Sequence, residues 1–375
     1  MNIAVLGFGV VGGGVYEWCK DRSDLCVKRV LVRSDKPEIA DLATKDFADI
    51  LHDDAIETVA ECMGGLHPAY EYVSAALKAG KNVVTANKAL IAAYYEELIA
   101  LAKDNGVALR CTAAVGGGIP WLVNLERCKR LDRICQVGGI MNGTTNYIMD
   151  AMHRSSVEFD SVLKKAQALG YAEADPSADI DGDDIRRKLA ISANIAFDVS
   201  LDETAIPTFG IRYVTKADIK LIKKHKFVCK MLAKAERTEK GVCAYIEPTL
   251  VSANDLEAAV PANFNLISYE GEAIGRQSYF GQGAGRFPTA ANVVQDCLDI
   301  MQGQTTFYAD CAAQAALDDS EAHPYYVRCQ KPDKWLQSVI AEEWAEGCYI
   351  TGAVKCGKMI AWAKKHPGVW IAGIR

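Results

Sequence analysis

The apolar run at residues 2–6 gives way at Gly7 to a glycine-rich turn and then to a stretch whose apolar positions fall on one side of a helix. The pattern predicts a buried strand, a tight turn and an amphipathic helix. The alternation continues with strands expected over residues 27–32, 57–63, 82–85 and 107–114 and helices over 67–79 and 89–102. Strand and helix taking turns predicts a doubly wound parallel sheet of the Rossmann type. After residue 130 the texture changes. A strand over 134–141 leads into a polar turn, a helix over 145–168 with one break, and an acidic segment whose helix runs to 196. Residues 227–268 hold long alternating runs, which predict antiparallel strands and an α+β second domain. A helix over 289–301 follows a second glycine turn. The last stretch reads strand, helix, strand, helix, strand over 325–329, 334–344, 348–354, 358–365 and 369–374. The division expected is therefore a dinucleotide-binding domain (1–130), a catalytic and dimerisation domain (131–302) whose last helix (288–302) packs back on the first, and a small C-terminal α/β unit (318–375).

Composition fits this plan and removes several function classes. A chain of 375 residues suits two or three domains with cores of their own. Its net charge of -6 is spread without a basic block, which argues against a nucleic-acid surface. The one dense basic run, Lys220, Lys223, Lys224, His225 and Lys226, reads as the solvated face of a short helix. Thirteen cysteines, with no CxxC pair, read as reduced thiols in a cytoplasm. Strand-like sequence from Asn2 leaves no room for a signal peptide, and no apolar run reaches the roughly 18 residues of a membrane span. The Asn142-Gly143-Thr144 sequon is then expected to stay unmodified.

The first turn carries Gly7-x-Gly9-x-x-Gly12 between strand and helix, the context a dinucleotide site requires. Gly7 permits the turn, Gly9 lets backbone approach a pyrophosphate, and Gly12 lets helix pack on strand, with the phosphates at the helix N-terminus. At the end of the second strand the first polar residue is Arg33, whose guanidinium would pair with a 2′-phosphate. That favours NADP, while Asp35, two residues later, keeps NAD open. Ligands of such sheets lie beyond the carboxyl ends of the strands. Gly64-Gly65, Ala86-Asn87-Lys88 and the turn from Val115 to Pro120 fall there, which makes Lys88 a site candidate.

Residues 170–188 place six carboxylates and a lysine in nineteen positions. Asp184 and Lys188 are four apart at the start of a helix and share a face. Asp181 and Asp183 suit a helix N-cap. A calcium loop is a competing reading, since Asp179, Asp181 and Gly182 fit part of that frame, but the position that needs a closing glutamate is Lys188. The cation reading fails there.

With the nucleotide turn, Asn87-Lys88, Gly116-Gly117-Gly118-Ile119-Pro120, Asn142-Gly-Thr-Thr-Asn-Tyr and the stretch from Gly170 to Lys188 in this order, the chain resembles homoserine dehydrogenase over about residues 1–302. The resemblance implies reversible hydride transfer between L-aspartate 4-semialdehyde and L-homoserine with a nicotinamide cofactor, a step in threonine, methionine and isoleucine biosynthesis. It implies Lys188 as the proton donor, Glu173 and Asp184 as substrate ligands, and Lys88 between cofactor and substrate. Cofactor contacts are implied at Gly7, Phe8, Gly9, Val10, Val11, Gly12, Arg33, Lys88, Gly170, Gly283 and Gly285. It further implies a homodimer and a monovalent cation, sodium, at Thr112, Val115, Gly117 and Ile119, with Thr112 standing where many relatives have glutamate. The chemistry agrees: carboxylates meet a substrate ammonium, a cation steadies the developing oxyanion, and two lysines near one oxygen depress each other's pKa. Two departures accompany the resemblance. The C-terminus supplies about βαβαβ, short of the family's βαββαβ regulatory module of the ACT type, and no kinase precedes the nucleotide strand. Rival oxidoreductases fit less well, since a sugar enzyme would carry Glu-Lys-Pro at Asn87-Lys88-Ala89, and an acyl-phosphate-forming enzyme needs a nucleophilic cysteine in a motif absent here. A nucleotide-binding protein without activity would not need Glu173, Asp184 and Lys188 together.

Overall fold

The computed structural model describes residues 1–304 and 313–375. The chain divides into two compact units, one of residues 1–134, 190–200 and 281–314, the other of 135–189, 201–280 and 315–375.

The first unit is built on six strands, β1 (Asn2–Leu6), β2 (Cys26–Leu31), β3 (Ala43–Thr44), β4 (Thr58–Glu61), β5 (Asn82–Thr85) and β6 (Leu109–Arg110), in the order β3-β2-β1-β4-β5-β6. Every pairing is parallel. This is the doubly wound order with its switch point beside β1. The interior strands are rich in apolar residues because helices cover both faces of such a sheet, and Ile3, Val5, Val30, Ala60 and Val84 form the core with Val15 and Val293 from helices. Helix Val10–Cys19 follows β1 directly. It lies against helix Arg286–Met301, where a Cβ on Gly14 would come within 2.7 Å of the Arg286 carbonyl oxygen. The strand expected over 107–114 is only Leu109–Arg110. Buried Arg110 and Thr112 turn instead to Asp296, and Thr112–Ala114 forms a short 3₁₀ turn.

The second unit contains one nine-stranded sheet. Its order is Gly275–Gln282, Phe264–Gly271, Ile134–Ile140, Phe227–Thr238, Gly241–Ser252, Trp370–Ile374, Tyr325–Arg328, Cys348–Thr351 and Ile340–Ala345. The long hairpin of Phe227–Thr238 and Gly241–Ser252 pairs over its whole length from Gly241↔Thr238 to Ser252↔Phe227. Trp370–Ile374 adds parallel to it, so Tyr325–Arg328, Ile340–Ala345, Cys348–Thr351 and Trp370–Ile374 enter the same sheet. The break expected within 145–168 falls between helices Gly143–Ser155 and Phe159–Ala168; Ser156 closes the first in the left-handed conformation.

One expected element is corrected. The helix read over 334–344 stops at Val339, and Ile340–Ala345 is a strand. It pairs with Cys348–Thr351 through the two-residue turn Glu346-Gly347, with Gly347 at φ 71°. A glycine with positive φ in a two-residue turn suits a hairpin, and the helix ends where Ile340 turns to extended backbone. Within the large sheet the order from Tyr325 is therefore βαββαβ, one strand more than expected, and the short strand Val354–Lys355 pairs separately with Ala322–His323.

Candidate functional site

In the first unit, Gly7 sits at φ 94° and its amide donates to the Leu31 carbonyl at 3.0 Å, so the chain reverses beyond the ends of β1 and β2. A Cβ on Gly12 would lie 1.9 Å from the Gly7 oxygen, whereas one on Gly9 would meet nothing within 4 Å. The turn is closed at Gly12 and open at Gly9, as an approaching pyrophosphate requires. Gly9 caps helix Val10–Cys19 with no side-chain acceptor. The amides of Val10, Val11 and Gly12 thus belong to the first turn, where helix donors lack intrahelical partners. A pocket beyond the strand ends is lined by Gly7, Phe8, Gly9, Arg33, Lys36 and Lys45, among others. Asp35, the alternative acid, is paired with Lys45 at 2.6 Å, and that hydrogen bond holds its carboxyl below the usual carboxylate range.

Lys88 is the first residue of helix Lys88–Asp104 and is half-buried. Asn87 caps that helix through Leu90 N and donates to Gly65 O at 2.7 Å. Behind it is Glu61, a residue sequence reasoning passed over. Its fully buried carboxylate accepts from Thr85 Oγ1 at 2.6 Å and from the amides of Met63 and Gly64. Burial pushes this carboxyl's pKa up, against the pull of those donors. Thr85 Oγ1 in turn accepts from Asn87 N at 3.0 Å. Glu61 therefore sets both loops at the ends of β4 and β5; the only signal was an acid closing an apolar strand.

The turn at 115–120 lies against the second glycine turn. A Cβ on Gly117 would fall 2.4 Å from the Gly283 carbonyl carbon, and Gly118 N donates to Gln282 O at 3.0 Å. Gly285, at φ 123°, caps helix Arg286–Met301. The backbone oxygens expected to hold a cation have protein partners: Asn292 Nδ2 donates to Gly117 O at 2.6 Å and to Ile119 O at 3.1 Å. Thr112 gives both its amide and its hydroxyl to Asp296, at 2.8 and 2.7 Å. Val115 is buried in the same turn.

In the second unit, Gly182 at φ 96° starts helix Asp183–Phe197, accepting from Arg186 N at 2.9 Å. One turn in, Lys188 Nζ meets Asp184 Oδ2 at 2.7 Å and donates to Met141 O at 2.9 Å. Both side chains are buried. Asn142 caps helix Gly143–Ser155 through Thr145 N and uses its Nδ2 to bridge Asp184 Oδ2 at 2.9 Å and Asp179 Oδ1 at 2.7 Å. Burial, followed by the charge of Asp184, raises the Asp179 carboxyl pKa. Asp179 thus joins the lysine cluster and does more than shape the loop. The other acids face outward: Asp181 pairs with Arg212, Asp183 with Arg186, and Asp175 accepts from Ser177 N. Glu173 is exposed on the connecting loop. Gly170, at φ 75°, ends helix Phe159–Ala168, with nothing within 4 Å of an added Cβ. The unit thus holds a buried ammonium that meets a carboxylate and a carbonyl, with one further acid, Asp179, joined to them through Asn142. Such a set can orient an amine and pass a proton.

Comparison with known proteins agrees with both halves of this description. Residues 7–112 match the family model "Homoserine dehydrogenase, NAD binding domain", and residues 120–298 match "Homoserine dehydrogenase". The chain is 37% identical over 316 residues to the homoserine dehydrogenase of Bacillus subtilis (strain 168), covering 80% of this chain and 73% of that one. It is 40% identical over 317 residues to that of Synechocystis sp., with 80% and 73% covered. The crystal structure of a homoserine dehydrogenase from Thiobacillus denitrificans superposes with a TM-score of 0.90 at 31% identity, covering 100% of this chain and 98% of that one.

Proposed function

Because the chain belongs to the homoserine dehydrogenase family, its reaction is NAD(P)-dependent hydride transfer between L-homoserine and L-aspartate 4-semialdehyde, and we propose that Lys188 moves the proton. The bound nicotinamide nucleotide supplies or takes the hydride. In the direction of reduction the carbonyl oxygen gains negative charge, and the ammonium of Lys188 stabilises it and then donates a proton. Asp184, at 2.7 Å, keeps that ammonium in one place, and Met141 O takes a second of its three hydrogens. Asp184 and Glu173 receive the ammonium of the substrate. Lys88 adds positive charge near the nicotinamide. The observation that carries the reading is the buried Lys188–Asp184 pair, because an ammonium taken out of water is retained where it has work or a partner of opposite charge.

The nucleotide is held by the amides after Gly9 and by Phe8, with Gly283 and Gly285 approaching it from the second glycine turn. NADP is the preferred form in this reading. Its support is the cation set Arg33, Lys36 and Lys45 along one pocket and the engagement of Asp35 by Lys45. Sodium stays in the reading at the carbonyl oxygens of Gly117 and Ile119, each of which accepts a bond from Asn292 and has two lone pairs, and it receives no step. A homodimer belongs to the reading and is supported by the edge strand Gly275–Gln282, where Phe280 is 55% exposed. No described helix is long and apolar enough to cross a membrane. The twelve described cysteines are all free, and a cytoplasmic location belongs to the reading. The deciding experiment is absorbance of the reduced cofactor with L-homoserine, first with NADP and then with NAD. A folded, cofactor-binding sample without a rate on either would overturn the reading.

A further inference from the structure

Away from Lys188, in the second unit, three buried side chains from distant parts of the sequence bring metal-binding atoms together. Glu247 lies mid-strand in Gly241–Ser252, His323 just before Tyr325–Arg328, and Cys356 at the start of helix Cys356–Lys364. One donor atom from each lies within 4.8 Å of the other two. A two-residue ladder, Ala322↔Lys355 and His323↔Val354, together with the bond from Cys356 N to Glu321 O, sets the histidine beside the cysteine.

The orientation of the histidine ring is informative. Its Nε2 is 2.7 Å from Glu247 Oε1, and the other carboxylate oxygen accepts from Tyr325 OH at 2.8 Å. With Nε2 turned to the carboxylate, Nδ1 faces Cys356 Sγ at 3.6 Å. Two ligands at zinc-to-nitrogen and zinc-to-sulfur bond lengths on a tetrahedral ion stand about 3.5 Å apart. A carboxylate on the far nitrogen of a metal-binding histidine is the arrangement that fixes its tautomer and raises its basicity. The backbone leaves room for the pair at one point. A Cβ on Gly373 would fall 2.4 Å from Glu247 Oε1 and 2.5 Å from His323 Nε2. Cys356 also lines a pocket together with Cys243, Asp318, Asp319 and Glu321, an acidic approach for a cation.

We propose that Cys356 and His323, oriented by Glu247, form a site for one thiophilic divalent cation of the zinc class. A thiolate and a carboxylate match the ion's double charge, and the imidazole is neutral. The remaining positions of the ion are left to water or to Asp319 of the adjoining pocket, since Glu321 is paired with Lys234 at 3.1 Å. The site lies apart from Lys188 and Asp184 in sequence and in ligands, and its role is to tie the βαββαβ stretch to the strand Gly241–Ser252.

The test uses the full chain, freed of metal by chelator and titrated with Co²⁺, then with Zn²⁺. The expected result is a thiolate-to-cobalt charge-transfer band that saturates near about one equivalent and is displaced by Zn²⁺. Cys356→Ser and His323→Gln each abolish the band, while dehydrogenase activity of the metal-free chain persists. X-ray absorption of the zinc-loaded wild-type chain shows sulfur and nitrogen neighbours, so the proposal stays testable even where a variant fails to fold. A folded wild-type chain that gives no band, a band that survives both substitutions, or a zinc shell without sulfur would overturn it.

Discussion

Lys188 Nζ and Asp184 Oδ2 are 2.7 Å apart on successive turns of one helix, both out of solvent. In the proposed reaction the pair would combine a charge for the substrate oxygen with a carboxylate that holds that charge in place. Replacing Lys188 with alanine is expected to lower kcat by about 10²- to 10⁴-fold, the range a lost general acid gives. The dissociation constant for NADP, measured by quenching of protein fluorescence, stays within about threefold because the nucleotide turn is in the other unit. Near-normal turnover would remove Lys188 from its role.

Asn142 keeps Asp179 and Asp184 together by giving each a hydrogen from one amide nitrogen. Asn142→Ala removes a helix cap and leaves buried Asp184 and half-buried Asp179 without the amide that bridges them. A loss of about 2 kcal/mol in urea unfolding is expected, with a raised KM for homoserine as Asp184 shifts. Asn142→Asp restores the cap and still fails, because it adds a third like charge; a variant with wild-type KM would contradict the bridge.

Arg33 is exposed beside the nucleotide pocket, with Lys36 and Lys45 on the same lining. Arg33→Ala is expected to raise KM for NADP by about tenfold and to leave KM for NAD nearly unchanged, since only NADP carries the 2′-phosphate. Equal effects on both cofactors would show that Arg33 does not read that phosphate.

His153 supplies a pH test away from catalysis. It is buried, its Nε2 accepts from Cys229 N at 2.9 Å, and burial, with Lys230 and Lys223 nearby, lowers its pKa from 6.5 to about 4. The unfolded chain therefore binds the proton first as pH falls. The stability contributed by neutral His153 is present above pH 6.5 and is lost between 6.5 and about 4, amounting to about 2–3 kcal/mol. Denaturant unfolding at pH 7 and pH 4.5 should show that loss in the wild type, and less of it in His153→Gln.

What was legible in the sequence was local. The spacing of Gly7, Gly9 and Gly12 fixes a turn within six residues, and the i,i+4 offset of Asp184 and Lys188 places them on one face whatever surrounds the helix. What escaped was set by distance along the chain. Glu61 meets Thr85 from 24 residues away, and Asn142 meets Asp184 from 42. No local periodicity encodes such pairings. The strand Ile340–Ala345 was hidden differently: Ala, Glu and Glu favour helix, and pairing with Cys348–Thr351 overrides that preference.

The amide of Asn142 also bears on how this protein can change. Its oxygen must accept from a helix start while its nitrogen donates to two acids, so the position asks for both signs of hydrogen bond in a short neutral side chain. Aspartate offers one sign, serine cannot span both acids, and glutamine carries an extra methylene. In a saturation library selected for growth without the pathway's products, position 142 should tolerate as few letters as position 188, although its side chain takes no part in the proposed chemistry.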